Sequence, residues 1–97
     1  NVVARIQGDG SQKPILIMAH TDVVNVDPSK WKFPPFSATV DGGYVYGRGA
    51  VDDKDNLAVG LMIMLELARQ EVPLARDVIL PTWWPDGRSH YEVHHER

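Results

Sequence analysis

The apolar residues of this chain follow two periodicities, that of strands and that of a helix. Ile15 to Ala19 is a continuous apolar run, typical of a central strand covered on both faces. Residues 57–68 repeat apolar side chains at helical spacing over a wide face, which predicts a largely buried helix over 53–70. Because a further apolar strand begins at 78–80, the order strand, helix, strand predicts an α/β fold.

Turn residues mark the remaining elements. Residues 1–7 alternate loosely before a glycine-rich turn, which predicts another strand. Asp41-Gly42-Gly43 separates two short strand-like runs and predicts a β-hairpin, since glycine accepts the positive φ of tight turns. We therefore predict a partial sandwich of a mixed β-sheet with one long buried helix, plus a β-hairpin. Residues 1–80 form this folded part, and residues 81–97 form a divergent, irregular C-terminal tail.

Composition narrows the function classes. The chain has 97 residues, enough for one small domain, and its formal net charge of −3 provides no basic stripe for nucleic acid or an anionic membrane surface. Because cysteine is absent, any bound metal must use His, Asp and Glu. The opening at Asn1 without a targeting segment indicates a piece of a longer chain. The compartment stays open, and we favour the cytoplasm.

The first candidate for chemistry is the pair His20 and Asp22, which follows the apolar run 15–19. Residues two apart in a strand can point to the same side of the sheet. A metal-bound imidazole usually donates its second ring N–H to a carboxylate or carbonyl, so one residue could bind metal while the other orients it. The alternative is that both residues only terminate the strand.

The second candidate is the segment Gly47–Lys54, which delivers two carboxylates to the predicted helix start. Carboxylate oxygens bind zinc and can bridge two metal ions. For Asp53 we favour the alternative of a helix N-cap, because aspartate accepts hydrogen bonds from the free N–H groups of a first turn. Lys54 could contact substrate or balance the charges of Asp52 and Asp53, and we favour the latter.

Two motifs together carry a family resemblance. Met18–Val24 and Tyr46–Lys54 resemble two signatures of the dinuclear zinc exopeptidases and amidohydrolases. That family includes aminoacylase, carboxypeptidase G and succinyl-diaminopimelate desuccinylase, and the resemblance is closest to the carboxypeptidase S group. It runs from about Val2 to Leu80. It implies that residues 1–80 are the N-terminal part of a zinc-peptidase catalytic domain that hydrolyses peptide or N-acyl amino acid amide bonds.

The resemblance also implies a role for each motif residue. His20 would bind one of two zinc ions, Asp22 would orient His20, and Asp52 would bridge both ions. It further implies a cis peptide bond between Asp52 and Asp53. The substrate would be a peptide or an N-acyl amino acid, activated by metal-bound hydroxide.

The chain departs from the family pattern after Leu80. A Glu-Glu pair, general base and zinc ligand, is expected where this chain has Asp86 and Gly87. Asp86 could act as the base, but Gly87 offers no ligand, so we expect a truncated site. His90, His94 and His95 could supply substitute ligands, although we favour surface histidines or a disordered tail there.

Two functions therefore stay open. One is a zinc-dependent hydrolase, and the other is an inactive family fragment that acts as a folded or self-associating module, with or without a bound metal. The apolar helix would leave hydrophobic surface uncovered in a fragment. We accordingly expect a homo-oligomer.

Overall fold

A computed structural model describes residues 2–83 as a mixed β-sheet, one long helix and a separate hairpin. The strands are β1 (Val2–Ile6), β2 (Ile15–Leu16), β3 (Ala19–His20), β4 (Thr39–Asp41), β5 (Tyr44–Tyr46) and β6 (Val78–Trp83). The helical elements are a 3₁₀ turn (Pro28–Lys30), a π-helical segment (Ala50–Lys54) and α1 (Asp55–Gln70). The predicted α/β class, with a mixed sheet, one helix and a hairpin, is confirmed.

Strand β6 lies at the centre of the sheet. It runs antiparallel to β1 and parallel to both β2 and β3. Ile15 faces Val78 and His20 faces Trp83, so β2 and β3 keep a single register along β6. The prediction of a central strand over residues 15–19 is wrong, because these residues form two short stretches at an edge of the described sheet.

The core lies where α1 crosses β6. Leu80 is 1% exposed, and Val78 and Met64 are also buried. Partly buried apolar side chains surround them: Ala4 and Ile6 of β1, Ile17 between β2 and β3, Leu67 near the end of α1, and Leu74 after α1. Burial of these side chains away from water is the main force that holds the helix on the sheet.

Helix α1 differs from its prediction in two ways. It begins at Asp55, because Asp52 and Asp53 have non-helical backbone angles. Gly60 and Met64 are its buried residues, whereas the apolar side chains of its outer face are exposed. The expectation of a largely buried helix therefore holds only for the face toward the sheet, since no described residue covers the other face. Among residues 2–83, no helix is long and apolar enough to cross a bilayer.

The predicted hairpin is confirmed. Asp41 faces Tyr44, and Gly42 and Gly43 both have positive φ at the turn between them. The hairpin is attached to the preceding loop by the Phe33 and Tyr46 rings, whose centroids are 4.9 Å apart. After β5 the chain continues directly into the segment that precedes α1.

The turn after β1 is held by Asp77, just before β6. Asp77 Oδ1 accepts a hydrogen bond from the Gly8 N–H at 2.8 Å, and Oδ2 accepts two from the Arg5 guanidinium. The hydrogen bond from Gly8 lowers the pKa of Asp77, partial burial opposes it, and Arg5 lowers the pKa further. The carboxylate thus closes the end of the β1 and β6 pairing at which Ile6 faces Val78.

Candidate metal centre

His20 and Asp52 meet although 32 residues separate them in the sequence. His20 is the last residue of β3, and Asp52 lies in the π-helical segment before α1. The His20 Nε2 atom is 3.2 Å from Asp52 Oδ1. The His20 side chain is 34% exposed and that of Asp52 is 89% exposed, so both are open to an incoming ion. The structure therefore brings together the two residues that the resemblance implied as zinc ligands.

Asp22 contacts the other nitrogen of the same ring. His20 Nδ1 lies 3.2 Å from the Asp22 carbonyl oxygen, with hydrogen-bond geometry. It is also 3.2 Å from Asp22 Oδ1, but that oxygen is buried and forms no hydrogen bond within residues 2–83. A proton on Nδ1 that is donated to the carbonyl leaves the lone pair of Nε2 facing Asp52. Asp22 thus contacts His20 as an orienting residue would, mainly through its backbone.

The surroundings of His20 are acidic. Burial lowers the pKa of His20, but the opposing contributions outweigh it and the pKa lies above its ordinary value. Those contributions come from the Asp22 carbonyl and from the negative charges of Asp22, Asp53 and Asp52. The same carboxylates would favour a divalent cation at this position.

Asp53 does not cap α1, so the N-cap prediction is wrong. Lys54 occupies the N-cap position and makes no side-chain cap bond. The Asp53 carboxylate accepts a hydrogen bond from the His20 backbone N–H at 3.2 Å and another from the Asn56 side-chain amide. The peptide bond between Asp52 and Asp53 is cis, as the resemblance implied. Asp52 thus faces the ring of His20, and Asp53 faces its backbone.

Lys54 also differs from its prediction. Its Nζ donates to the Thr21 carbonyl at 3.0 Å and forms no ion pair with Asp52 or Asp53 in the described part of the chain. The lysine therefore connects the two motifs through a hydrogen bond to the carbonyl oxygen of Thr21, the residue after His20. No local pattern predicts this contact, because the partner is a backbone atom 33 residues away in the chain.

The donor atoms present fit a zinc ion in type and spacing. Ligands at zinc–ligand distances of 2.0–2.2 Å in a tetrahedral site are about 3.3 Å from one another. The 3.2 Å between His20 Nε2 and Asp52 Oδ1 matches that separation. Residues 2–83 contain no group of three or more His, Asp or Glu arranged for one ion. They therefore hold two neighbouring groups of the chemical type that zinc sites use, fewer than the number of ligands that such a site needs.

The remaining predicted site residues lie outside the described residues. Asp86, Gly87 and the three tail histidines His90, His94 and His95 all follow Trp83. Their roles stay predictions.

Comparison with known proteins identifies the family. The pattern of peptidase family M20/M25/M40 matches residues 16–83, which include both motifs and the strand that ends the described structure. The chain belongs to this family. A solved structure of an M20 family metallo-carboxypeptidase, Sso-CP2 from Sulfolobus solfataricus, has a TM-score of 0.70 and 38% sequence identity to this family member. The similarity covers 80% of this chain and 18% of that one.

Two curated relatives carry the same similarity. A succinyl-diaminopimelate desuccinylase from Delftia acidovorans is 39% identical over 92 residues, covering 92% of this chain and 24% of the relative. An N-fatty-acyl-amino acid synthase/hydrolase from Xenopus tropicalis is 44% identical over 63 residues, covering 64% of this M20/M25/M40 chain and 12% of the relative. The chain thus spans less than a quarter of the length of each of these proteins. The closer relationship to the carboxypeptidase S group stays a prediction.

Proposed function

We propose that this chain supplies part of the metal centre of a zinc-dependent hydrolase that cleaves peptide or N-acyl amino acid amide bonds. The observation that carries the proposal is the 3.2 Å approach of His20 Nε2 to Asp52 Oδ1, from motifs far apart in sequence. Membership of the M20/M25/M40 peptidase family supports hydrolysis as the reaction. The names of the desuccinylase and the N-fatty-acyl-amino acid hydrolase support an amide bond to an amino acid as the substrate class.

Each site residue has a distinct part in the proposed chemistry. Bound zinc would polarise the scissile carbonyl and lower the pKa of a water molecule. In its neutral form with the proton on Nδ1, His20 donates to the Asp22 carbonyl and offers Nε2 as a ligand. The exposed Asp52 carboxylate has a second oxygen for another ion, which suits the proposed bridging role. Asp86 is proposed as the general base, which accepts a proton from the attacking water.

The proposal is tested by zinc binding and by hydrolysis with the 97-residue chain. We expect Zn²⁺ titrated calorimetrically into the wild type to bind, and His20→Ala and Asp52→Asn each to weaken binding by at least about tenfold. Asp41→Asn is the matched control, because Asp41 is a carboxylate on the hairpin whose neighbour is Lys32 Nζ at 3.4 Å. A wild type without affinity for Zn²⁺, or an Asp41→Asn loss equal to that of Asp52→Asn, would contradict the proposed site.

The hydrolysis arm uses a panel of N-acyl amino acids and dipeptides with zinc or with a chelator. Turnover that needs zinc and disappears in His20→Ala supports catalysis by this chain. Zinc binding without turnover supports a metal-binding module and contradicts catalysis by the isolated chain.

The exposed face of α1 favours a second candidate, an inactive module that self-associates. Val59, Met62 and Ile63 are exposed on this helix and line an open groove with Ala58 and Leu67. A second copy of the chain would cover these residues and remove their apolar surface from water. Sedimentation equilibrium should then show a dimer that Met62→Lys dissociates. A monomer at all concentrations contradicts this candidate.

A further inference from the structure

We propose that Asn56 is a positioning residue of the metal centre, which acts through Asp53 on His20. The inference rests on the proposed zinc site and names a residue outside the family motifs described above. Among residues 2–83, the Asn56 side chain hydrogen-bonds to Asp53 and to neither proposed ligand, so its proposed role is positioning and not catalysis.

One carboxylate makes the connection. Asp53 Oδ1 accepts a hydrogen bond from the Asn56 side-chain amide, and Asp53 Oδ2 accepts one from the His20 backbone N–H at 3.2 Å. Asn56 lies in the first turn of α1, and His20 is the last residue of β3. The three residues therefore join the helix to the end of the strand that carries the proposed ligand.

The helix end of this connection is well anchored. Gly60, one turn after Asn56, is buried against Leu80, the least exposed residue of the core. The first turn of α1 is thereby held at a fixed distance from β6. An amide donated from this position fixes the rotamer of Asp53, and the carboxylate in turn fixes the backbone of His20.

The two adjacent carboxylates, Asp52 and Asp53, have different partners. Asp52 faces the His20 ring, whereas Asp53 is engaged at both oxygens and faces the backbone. Without Asn56, Asp53 would have one free oxygen and could turn toward the ion instead of Asp52.

A second contact limits the expected effect. Lys54 Nζ binds the Thr21 carbonyl independently of Asp53, so the strand end keeps one tie to the segment before α1. We therefore expect Asn56→Ala to weaken Zn²⁺ binding about tenfold, at the lower end of the range for residues that support a ligand from behind. Asn56→Gln, which keeps an amide donor, should restore most of the affinity.

The test measures Zn²⁺ affinity by calorimetry and the exchange rate of the His20 amide proton by NMR. Gln70→Ala is the matched control, because Gln70 is on the same helix and its amide also donates to a carboxylate, that of Glu66 at 3.2 Å. Thermal melts of Asn56→Ala and Gln70→Ala fix a titration temperature at which both variants are folded. A loss of affinity is then due to positioning and not to unfolding.

The inference predicts weaker Zn²⁺ binding and faster exchange of the His20 amide in Asn56→Ala, with both values unchanged in Gln70→Ala. Unchanged affinity in Asn56→Ala, while the wild type binds Zn²⁺, overturns the inference and leaves the proposed function standing. A wild type that binds no Zn²⁺ contradicts the proposed function and this inference together.

Discussion

Gly60 lies directly against Leu80, where the long helix crosses the central strand. A Cβ added to Gly60 would come 2.9 Å from Leu80 Cδ1 and 3.2 Å from Ile17 Cγ2. Leu80 is fully buried and has no solvent to move into. Glycine is thus required here by the close approach of helix and sheet.

The substitution Gly60→Ala should lower the free energy of unfolding by about 1 kcal/mol. Alanine stabilises a helix by about 1 kcal/mol relative to glycine, but overpacking a filled core costs about 1–3 kcal/mol. Urea denaturation measures the difference. In a Leu80→Ala background the clash with Leu80 is removed, so Gly60→Ala should cost less there. Equal costs in both backgrounds would contradict the proposed contact.

Truncation of Leu80 should lower the free energy of unfolding much more than truncation of an exposed leucine. Leu80→Ala removes buried methyl groups from the centre of the core and should cost about 2–5 kcal/mol. Leu61, on the outer face of α1, is 46% exposed, and Leu61→Ala should change stability by no more than about 0.5 kcal/mol. Urea denaturation of both variants tests the assignment of the core, and similar losses would refute it.

Gly49 should be essential to the metal centre for a steric reason. Its φ is +79°, and a Cβ there would come 2.4 Å from Val23 Cγ1 and 2.8 Å from Lys54 Nζ. Gly10 has a similar φ of +77° with open space around it. Both Gly49→Ala and Gly10→Ala should therefore lose about 1 kcal/mol from backbone strain.

The two glycine variants separate in Zn²⁺ affinity. Gly49→Ala displaces Lys54, whose hydrogen bond to the Thr21 carbonyl supports the end of β3. Zn²⁺ binding should therefore weaken about tenfold or more. Gly10→Ala should leave binding unchanged. Calorimetric titration of both variants decides the matter, and equal affinities would show that Gly49 serves the backbone alone.

Asp77 should make stability depend on acidity. Because its pKa is lowered in the folded state, its contribution is complete above the pKa of an unfolded aspartate and is lost as the pH falls through the folded value. The wild type should thus exceed Asp77→Asn in stability at pH 7 by more than at pH 3. Urea titrations at both pH values give this difference, and a gap that does not narrow in acid would argue against the Gly8 and Arg5 contacts.

Periodicity predicted most of the fold of residues 2–83. Turn chemistry at Gly42 and Gly43 gave the hairpin, and helical spacing gave α1. The interruption at Ile17 and Met18 could not be predicted, because both residues are as apolar as their neighbours. The exposure of the outer face of α1 could not be predicted either, since an apolar side chain does not specify what covers it.

The site was predictable only in part. The meeting of His20 and Asp52 came from family resemblance, since their spacing alone does not bring them together. The contact of Asp53 with the His20 backbone was missed, because an aspartate near a helix start has the same local pattern as an N-cap. The only sequence signal for the contact of Asn56 with Asp53 is their spacing of three residues.

The common register of β2 and β3 on β6 limits where the chain can gain or lose residues. Side chains alternate between the faces of a strand, so one residue inserted between Leu16 and Ala19 would turn His20 to the opposite face. The turn at Gly42 and Gly43 has open space around it and can lengthen without moving this offset. Insertions and deletions among natural relatives should therefore gather in the hairpin turn and be missing from the stretch that leads to His20.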